Sequence, residues 1–304
     1  MRRIIPAVAA LALLVAACGG GHPGDAAETA PSTTGDPAAA PSTSIADPAT
    51  PTTPTTDGPT ANGPGGLPTG PSALDSMLAE EFPDPLVDIT AIFPGGPPPD
   101  GIPPIDDPGF VTAAAADEWL EDAEPVVVLA VGGEARAYPV QILIWHEIVN
   151  DTIGGVPVSV TYCPLCNSAV SYRRIVDGVE TTFGTSGLLF ASALVMYDRA
   201  TESLWTHFDG RAVVGVLTGR TLEPIASPLL SWGDFKATHP DGLVLDREST
   251  GHDRPYGQNP YVGYDDPAAT PFLFRGALDD RAAAMQRVVG VALGDDAAAW
   301  PLDA

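Results

Sequence analysis

Two cysteines separate two strand-like segments in the stretch VPVSVTYCPLCNSAVSYR, residues 156–173. Val156–Tyr162 leads into the pair, and Ala169–Arg173 alternates as a returning strand. A thioredoxin-type CxxC is followed instead by a helix, whose N-terminus lowers the pKa of the first thiol. The stretch therefore predicts a tight turn at a strand end that carries both Cys163 and Cys166.

Further short strands and turn signals surround this stretch. Val126–Val131 and Glu134–Val140 read as a hairpin around Gly132-Gly133, because glycine supplies the positive φ values of a tight turn. The helices that we expect are Ala113–Leu120 with Thr112 as N-cap, Gln141–Val149 and Leu229–Ala237. The other expected strands are Glu180–Phe183, Leu194–Tyr197, Ser203–Phe208, Ala212–Leu217, Leu222–Ile225 and Leu243–Leu245. This spacing predicts a β-rich α+β fold, a sandwich or barrel of many short strands with a few decorating helices.

One hairpin has an echo near the end of the sequence. VVVLAVGGEARAYPV, residues 126–140, aligns without gaps to VVGVALGDDAAAWPL, residues 288–302. The glycine turn, the aromatic residue and the proline keep their spacing, which favours a reused hairpin unit. The copy stops before the helix and the cysteines, so the chemistry of the CPLC stretch is not duplicated.

The N-terminal third is organised differently from the rest. Residues 1–18 combine a charged start, a short apolar run and the ending VAAC, which is typical of a lipoprotein signal peptide with a lipobox. A plain signal peptide with a nearby cysteine is the alternative. Residues 19–72 form a Pro/Thr/Ala/Gly linker predicted to be disordered, residues 73–111 an irregular proline-rich arm, and residues 112–304 the β-rich domain. We expect the chain at the extracytoplasmic face of the plasma membrane, in the cell envelope, anchored by a lipid on Cys18.

Charge and motif content narrow the range of functions. The net charge of -25 repels nucleic acid phosphates, so we expect no nucleic acid partner. No phosphate loop, Ser-His-Asp order or HExxH helix occurs, so neither a nucleotide cofactor nor a common hydrolase is indicated. A protein partner cannot be read from the sequence, and whether the chain is an enzyme stays open.

Three interpretations of the cysteine pair remain. In the first, Cys163 and Cys166 bind a soft or borderline metal with His146, which lies just upstream in WHEIVND. Met196 as a fourth ligand suits Cu(I), and water or a carboxylate suits Zn²⁺. In the second, the pair is a thiol–disulfide oxidoreductase of non-thioredoxin fold, with Cys163 attacking and Cys166 resolving. In the third, it is a structural disulfide in a β-rich binding module.

Other polar residues are weaker candidates for a site. Asp198, Arg199 and Glu202 are grouped in MYDRATESLW, and Glu147 follows His146. The MYDRATESLW stretch also reads as a strand, a turn and a returning strand, which is the interpretation that we favour.

Long blocks of the sequence resemble the DUF3179 family of bacterial exported proteins. They are GEARAYPVQILIWHEIVNDTIGGVPVSVTYCPLCNSAVSYRR and FGTSGLLFASALVMYDRATESLW, and the likeness covers about residues 100–302. The resemblance implies no activity, because the function of the family is not established. The family motifs fall on His146, Glu147, Asn150, Asp151, Cys163, Cys166, Met196, Tyr197, Asp198, Arg199 and Trp205. The family often has glycine where this chain has Asn167, and asparagine tolerates the same left-handed backbone.

Overall fold

The computed structural model describes residues 66–271, 273–293 and 296–302. The predicted signal peptide, Cys18 and residues 19–65 of the predicted linker lie outside the described residues. Leu67, which lies inside the predicted linker, is buried in the apolar core. No helix among the described residues is long and apolar enough to cross a membrane.

Strands dominate the described chain, as the sequence predicts. The helices are a 3-10 turn at Ile89–Ala91 and three short α-helices, α1 Ala113–Ala116, α2 Val140–His146 and α3 Trp232–Thr238. The strands are β1 Ile92–Pro94, β2 Phe110–Thr112, β3 Pro125–Val131, β4 Glu134–Pro139, β5 Ile148–Ile153, β6 Val156–Cys163, β7 Ser168–Arg173, β8 Ile175–Val176, β9 Val179–Glu180, β10 Phe183–Phe190, β11 Ala193–Asp198, β12 Leu204–Thr206, β13 Ala212–Val214, β14 Pro224–Ile225, β15 Leu229–Ser231, β16 Leu243–Leu245, β17 Val288–Leu293 and β18 Asp296–Pro301.

These strands form three larger sheets and two separate hairpins. The sheet orders are β1-β10-β11-β12-β13, β14-β7-β6-β5 and β15-β3-β4-β16-β2. The hairpins are β8-β9 and β17-β18. Neighbouring strands are antiparallel except β16 and β4, which are parallel. The β-rich fold class is therefore confirmed.

The sheet that carries the cysteines has an apolar cluster on each face. Successive residues of β6 point to opposite faces, so Val160 and Tyr162 join one cluster and Cys163 joins the other. The first cluster includes Ile142 and Leu143 of α2. The second includes large side chains of the β10–β13 sheet, with Trp205 fully buried. Cys163 therefore lies in the interior between two layers of the protein.

At two helix boundaries a strand takes residues that the sequence prediction gave to the helix. The helix expected over Gln141–Val149 ends at His146, because Ile148–Ile153 pairs with β6 as a strand. The helix expected from Leu229 begins at Trp232, since Leu229–Ser231 pairs with β3. In both cases a strand partner distant in sequence overrides the local helical pattern.

Other local predictions agree with the structure. Thr112 caps α1, its hydroxyl accepting a hydrogen bond from the Ala115 amide, although the helix ends four residues early, at Ala116. Gly132 and Gly133 take φ values of 61° and 87° in the β3–β4 turn. The echo at residues 288–302 also forms a hairpin, β17–β18. The described side chains of β17–β18 are exposed, whereas many of those of β3–β4 are buried.

Candidate functional site

The CPLC stretch begins at the last residue of β6, Cys163, and its other three residues belong to the four-residue loop of the β6–β7 hairpin. Cys163 pairs directly with Ser168, so residues 164–167 make the turn. Asn167 adopts a φ of 46°, the left-handed conformation expected where the family often has glycine. Its side-chain oxygen accepts a hydrogen bond of 2.9 Å from the Tyr162 hydroxyl, which braces the turn. The predicted strand–turn–strand context of the cysteines is confirmed.

The two thiols are free and unequal. Cys163 is 1% exposed, whereas Cys166 is only partly buried. A hydrogen bond from Cys163 to Cys166 raises the pKa of the donor thiol, and burial raises it further. The same bond lowers the pKa of Cys166, whose sulfur also lies 3.2 Å from the Ser168 hydroxyl. Cys166 is thus the more acidic and more accessible thiol of the pair.

Glu147 brings a buried carboxyl group to the same place. It links α2 to β5 with a φ of 59°, and its carbonyl oxygen accepts a 2.8 Å hydrogen bond from the Tyr162 amide. Its side chain is 7% exposed and makes no hydrogen bond to a described residue. Burial, followed by the charge on Cys163, raises the pKa of Glu147 to about 8. The carboxyl group is therefore poised to exchange a proton near neutral pH.

His207 approaches Cys163 from the other layer. It follows β12 and is 1% exposed. Neither ring nitrogen makes a well-aligned hydrogen bond to a described residue, although the Thr161 backbone lies close enough to favour its protonated form. Burial lowers the pKa of His207, and the charge on Cys163 opposes this shift. The alternation of side chains along a strand could not predict which way His207 points, because His207 lies in the turn after β12.

His146, the histidine proposed from sequence as a ligand, has both ring nitrogens engaged. Nδ1 lies 2.7 Å from the Pro103 carbonyl oxygen, and Nε2 lies 2.7 Å from the Tyr256 hydroxyl. Burial lowers the pKa of His146 to about 4, so the ring is neutral near pH 7. Ligation of a metal by His146 would require one of these hydrogen bonds to break.

The remaining sequence candidates have packing or turn contacts. Met196 is fully buried in the same apolar cluster as Cys163. Asp198 accepts hydrogen bonds from Trp205 Nε1 and from the amides of Thr201 and Ser203, and thereby caps the β11–β12 turn. The favoured strand–turn–strand interpretation of MYDRATESLW is confirmed.

The other two members of that group lie in the same turn. Arg199 forms ion pairs with Asp100 and Asp106 of the proline-rich arm. Glu202 lies in the turn with a φ of 54°. These contacts attach the arm to the domain and are separate from those of the cysteine pair.

A cleft of about 990 Å³ leads to the more exposed thiol. Its inner wall includes Tyr162, Leu165 and Cys166, and its outer wall comes from residues 259–289. Tyr261 and Tyr264 stand in the outer wall, 6.1 Å apart between ring centroids. Cys166 is therefore open to a reagent or substrate through this cleft, while Cys163 lies behind it.

Electrostatic interactions link Cys163 with Cys166, Glu147 and His207. Among the described residues, no three His, Cys, Asp or Glu side chains are close enough to hold a metal ion as they stand. A dithiol and a proton-exchanging carboxyl are the chemical groups that this arrangement offers directly.

Comparison with known proteins gives a family and no activity. The family model described as "Protein of unknown function (DUF3179)" matches residues 99–304, which include every element of the site. No curated protein and no solved structure matches the chain. With two thirds of its length matched by the model, this chain belongs to the DUF3179 family.

Proposed function

We propose that the CPLC turn is a redox-active dithiol that exchanges electrons with a disulfide. The observation that carries this proposal is the inequality of the two thiols. A partly exposed thiol of lowered pKa opens into a cleft, and a buried thiol of raised pKa lies directly behind it. Attack on a disulfide requires an accessible thiolate, and closure of the resulting intermediate requires a second thiol within reach.

In this proposal Cys166 is the attacking thiol, because it is the more exposed and the more acidic of the two. Its thiolate attacks one sulfur of the substrate disulfide, forms a mixed disulfide and releases the other sulfur as a thiolate. Cys163 then loses its proton, attacks the Cys166 sulfur and releases the second substrate thiolate. Two electrons pass to the substrate and the protein keeps a Cys163–Cys166 disulfide. These roles are the reverse of those expected from the sequence, because Cys163 is the buried member.

Glu147 supplies the proton acceptor that the second step needs. Cys163 is a poor nucleophile while protonated, and burial keeps its pKa high. The buried Glu147 carboxyl interacts electrostatically with Cys163 and has a pKa of about 8, so its ionised form takes up the thiol proton at mildly alkaline pH. The released substrate thiolate is the natural receiver of that proton afterwards.

A trapping experiment tests the assignment. The Cys163→Ser variant should accumulate a mixed disulfide at Cys166 when the reduced protein meets oxidised glutathione, since no thiol remains to resolve it. The Cys166→Ser variant should form no adduct, because Cys163 is shielded. Mass spectrometry of the intact proteins measures both. Equal adduct formation by the two variants, or none by either, would refute the proposal.

Metal binding is a second candidate, and His207 is the observation that favours it. A buried imidazole without a well-aligned hydrogen bond is costly unless it acquires a partner. With Cys163 and Cys166 it would give the two-thiolate, one-imidazole set that suits Cu(I) or Zn²⁺. The described side chains would have to move together to form that set.

We further propose that the protein acts on the outer side of the plasma membrane, held there by a lipid on Cys18. The support is the VAAC ending of the N-terminal segment. An oxidising compartment also gives a dithiol the disulfides with which it would exchange. A Cys18→Ala variant should leave the membrane fraction, and full retention there would refute lipid anchoring.

A further inference from the structure

The outer wall of the thiol cleft belongs to one long irregular segment. We name residues 247–287 the covering segment; its described residues contain no helix and no strand. Tyr261, Tyr264, Phe274 and Met285 of this segment line the cleft opposite Cys166. Access to the thiol therefore depends on how firmly the covering segment is held.

The segment is attached weakly along most of its length. Among the described residues after Leu245, Thr250 is the only one that is buried. The backbone hydrogen bonds of the described residues of the covering segment stay within the segment or run to Leu302. Arg247 lies over the Trp119 ring and Arg275 over the Phe93 ring; Arg275 is exposed and Arg247 is partly buried. A segment with so little buried surface opens more easily than the sheets beneath it.

One hydrogen-bonded chain joins the segment to the body of the domain. The Tyr256 hydroxyl lies 2.7 Å from Nε2 of His146 and 2.7 Å from the Thr250 hydroxyl. The His146–Tyr256 bond joins residues 247–302 to the domain before residue 246. Among the described residues other than Tyr264, it is the one hydrogen bond that does so. The buried Thr250 and the partly buried Tyr256 thus form the anchor of the cover.

The tautomer of His146 follows from its partners. The Pro103 carbonyl oxygen can only accept, so Nδ1 carries the proton and donates to it. Nε2 then accepts from the Tyr256 hydroxyl, and the Tyr256 oxygen accepts in turn from Thr250. Every donor in this series of hydrogen bonds is matched to an acceptor. If the Tyr256 ring rotated to face the solvent, this matching would be lost.

We propose that the His146–Tyr256 hydrogen bond is a latch that holds the covering segment over Cys166. His146 is then a positioning residue, which controls access to the thiol without touching it. The end of α2 serves two purposes, because His146 fixes the cover and the next residue, Glu147, supplies the buried carboxyl group of the proposed chemistry. This role goes beyond the proposed function, since it holds whichever chemistry the dithiol performs.

The test compares two single hydroxyl deletions in the reduced full-length chain. Tyr256→Phe removes the latch and keeps the ring. Tyr197→Phe, the control, removes a hydroxyl whose hydrogen bond to Asp100 has the same length of 2.7 Å. The readouts are the rate of Cys166 alkylation by a bulky maleimide, mapped by mass spectrometry, and hydrogen exchange of peptides from residues 247–271. We expect both rates to rise about fivefold in Tyr256→Phe, the change that one lost hydrogen bond gives an opening equilibrium, and to stay unchanged in the control.

The outcomes separate a latch from a general loss of stability. Faster exchange confined to the covering segment supports the proposal, and unchanged alkylation and exchange in Tyr256→Phe overturn it. If the amides of β5 and β6 also exchange faster, the variant has lost global stability. The decision then rests on Thr250→Val, which removes the other hydroxyl of the anchor. Thr250→Val must raise the rate of Cys166 alkylation without changing hydrogen exchange of the β5 and β6 amides. Any other result rejects the latch.

Discussion

The Glu147 carboxyl group and the Cys163 thiol are both buried, and the charge on Cys163 adds to the effect of burial in raising the pKa of Glu147. The carboxyl has no hydrogen bond to a described residue, and no arginine or lysine forms an ion pair with it among the described residues. A carboxylate in such surroundings is unfavourable for folding. Its retention in the interior therefore calls for a chemical role, and a proton acceptor for Cys163 is the role that fits.

Replacement of Glu147 by glutamine should remove a pH dependence of stability. In the unfolded chain the carboxyl titrates near its usual pKa of 4.5, and in the folded protein near 8. Below pH 4.5 Glu147 is protonated in both the folded and the unfolded state, so its ionisation does not change the free energy of unfolding. Between these values only the unfolded state ionises, and the free energy of unfolding falls by at most about 1.4 kcal/mol per pH unit as pH rises. Above pH 8 Glu147 is ionised in both states, and the free energy of unfolding does not fall further on its account.

Urea unfolding between pH 4 and pH 9 measures this effect. Glu147→Gln should match the wild type near pH 4 and exceed its stability increasingly up to pH 8. Glu118→Gln, which changes an exposed carboxyl group, serves as the control and should follow the wild-type curve. Parallel curves for Glu147→Gln and the wild type would show that Glu147 keeps an ordinary pKa.

The acidity of Cys166 should depend on Ser168. The Ser168 hydroxyl lies 3.2 Å from the Cys166 sulfur and lowers the pKa of that thiol. Ser168→Ala removes this donor, so the pKa should rise, and Cys163→Ala should raise it further because the Cys163 hydrogen bond is the larger cause. The pH dependence of Cys166 alkylation by iodoacetamide gives the pKa.

Ser192→Ala is the matched control for that measurement. Ser192 also lines the cleft, but its hydroxyl has no hydrogen-bond partner among the described residues. Its loss should leave the Cys166 titration in place. If the Cys166 titration of Ser168→Ala matches that of the wild type, the serine contributes nothing to thiolate stability, and the lowered pKa must come from the hydrogen bonds of Cys163 and of the backbone at Cys166.

Local patterns predicted the hairpin that carries the cysteines, because alternation and turn residues act over few positions. Pairing between distant segments was harder to predict. The strand β5 looked helical, since Ile148 and Val149 continue the apolar spacing of α2 until pairing with β6 overrides it. For the same reason the sequence predicted the pairing of the two cysteines but not the association of Glu147 and His207 with them. Glu147 and His207 interact electrostatically with Cys163 from elements distant in sequence, and no spacing in the sequence encodes such an interaction.

The turn itself should distinguish glycine from alanine at position 167. Asn167→Gly keeps the left-handed backbone and loses the hydrogen bond from Tyr162, at a cost of about 1 kcal/mol. Asn167→Ala loses the same bond and must place a Cβ in the left-handed region, so we expect a total cost of about 2 kcal/mol. Urea unfolding of both variants gives the two values. A glycine variant less stable than the alanine variant would contradict the conformational argument.

Metal titration should rank the two buried histidines. If the dithiol binds Cu(I) or Zn²⁺, His207→Ala should weaken the affinity more than His146→Ala does. The reason is that His207 lies near Cys163 with neither nitrogen in a well-aligned hydrogen bond, whereas Pro103 and Tyr256 engage both nitrogens of His146. A neutral imidazole with a free lone pair binds metal without first giving up a hydrogen bond.

The measurement is competition with a chelator under anaerobic conditions, using the reduced protein. The double variant Cys163→Ser/Cys166→Ser sets the background, because a hydroxyl that stays protonated is a poor ligand for soft metals. Binding by the wild type no tighter than this background would remove metal binding as a candidate and leave disulfide exchange. Tight binding that His146→Ala weakens most would restore the ligand set expected from the sequence, and the latch would then have to open when the metal binds. Tight binding that depends on His207 would mean that this imidazole is the third ligand, and Glu147, whose pKa responds to the charge on Cys163, would be the carboxyl to test for the fourth position.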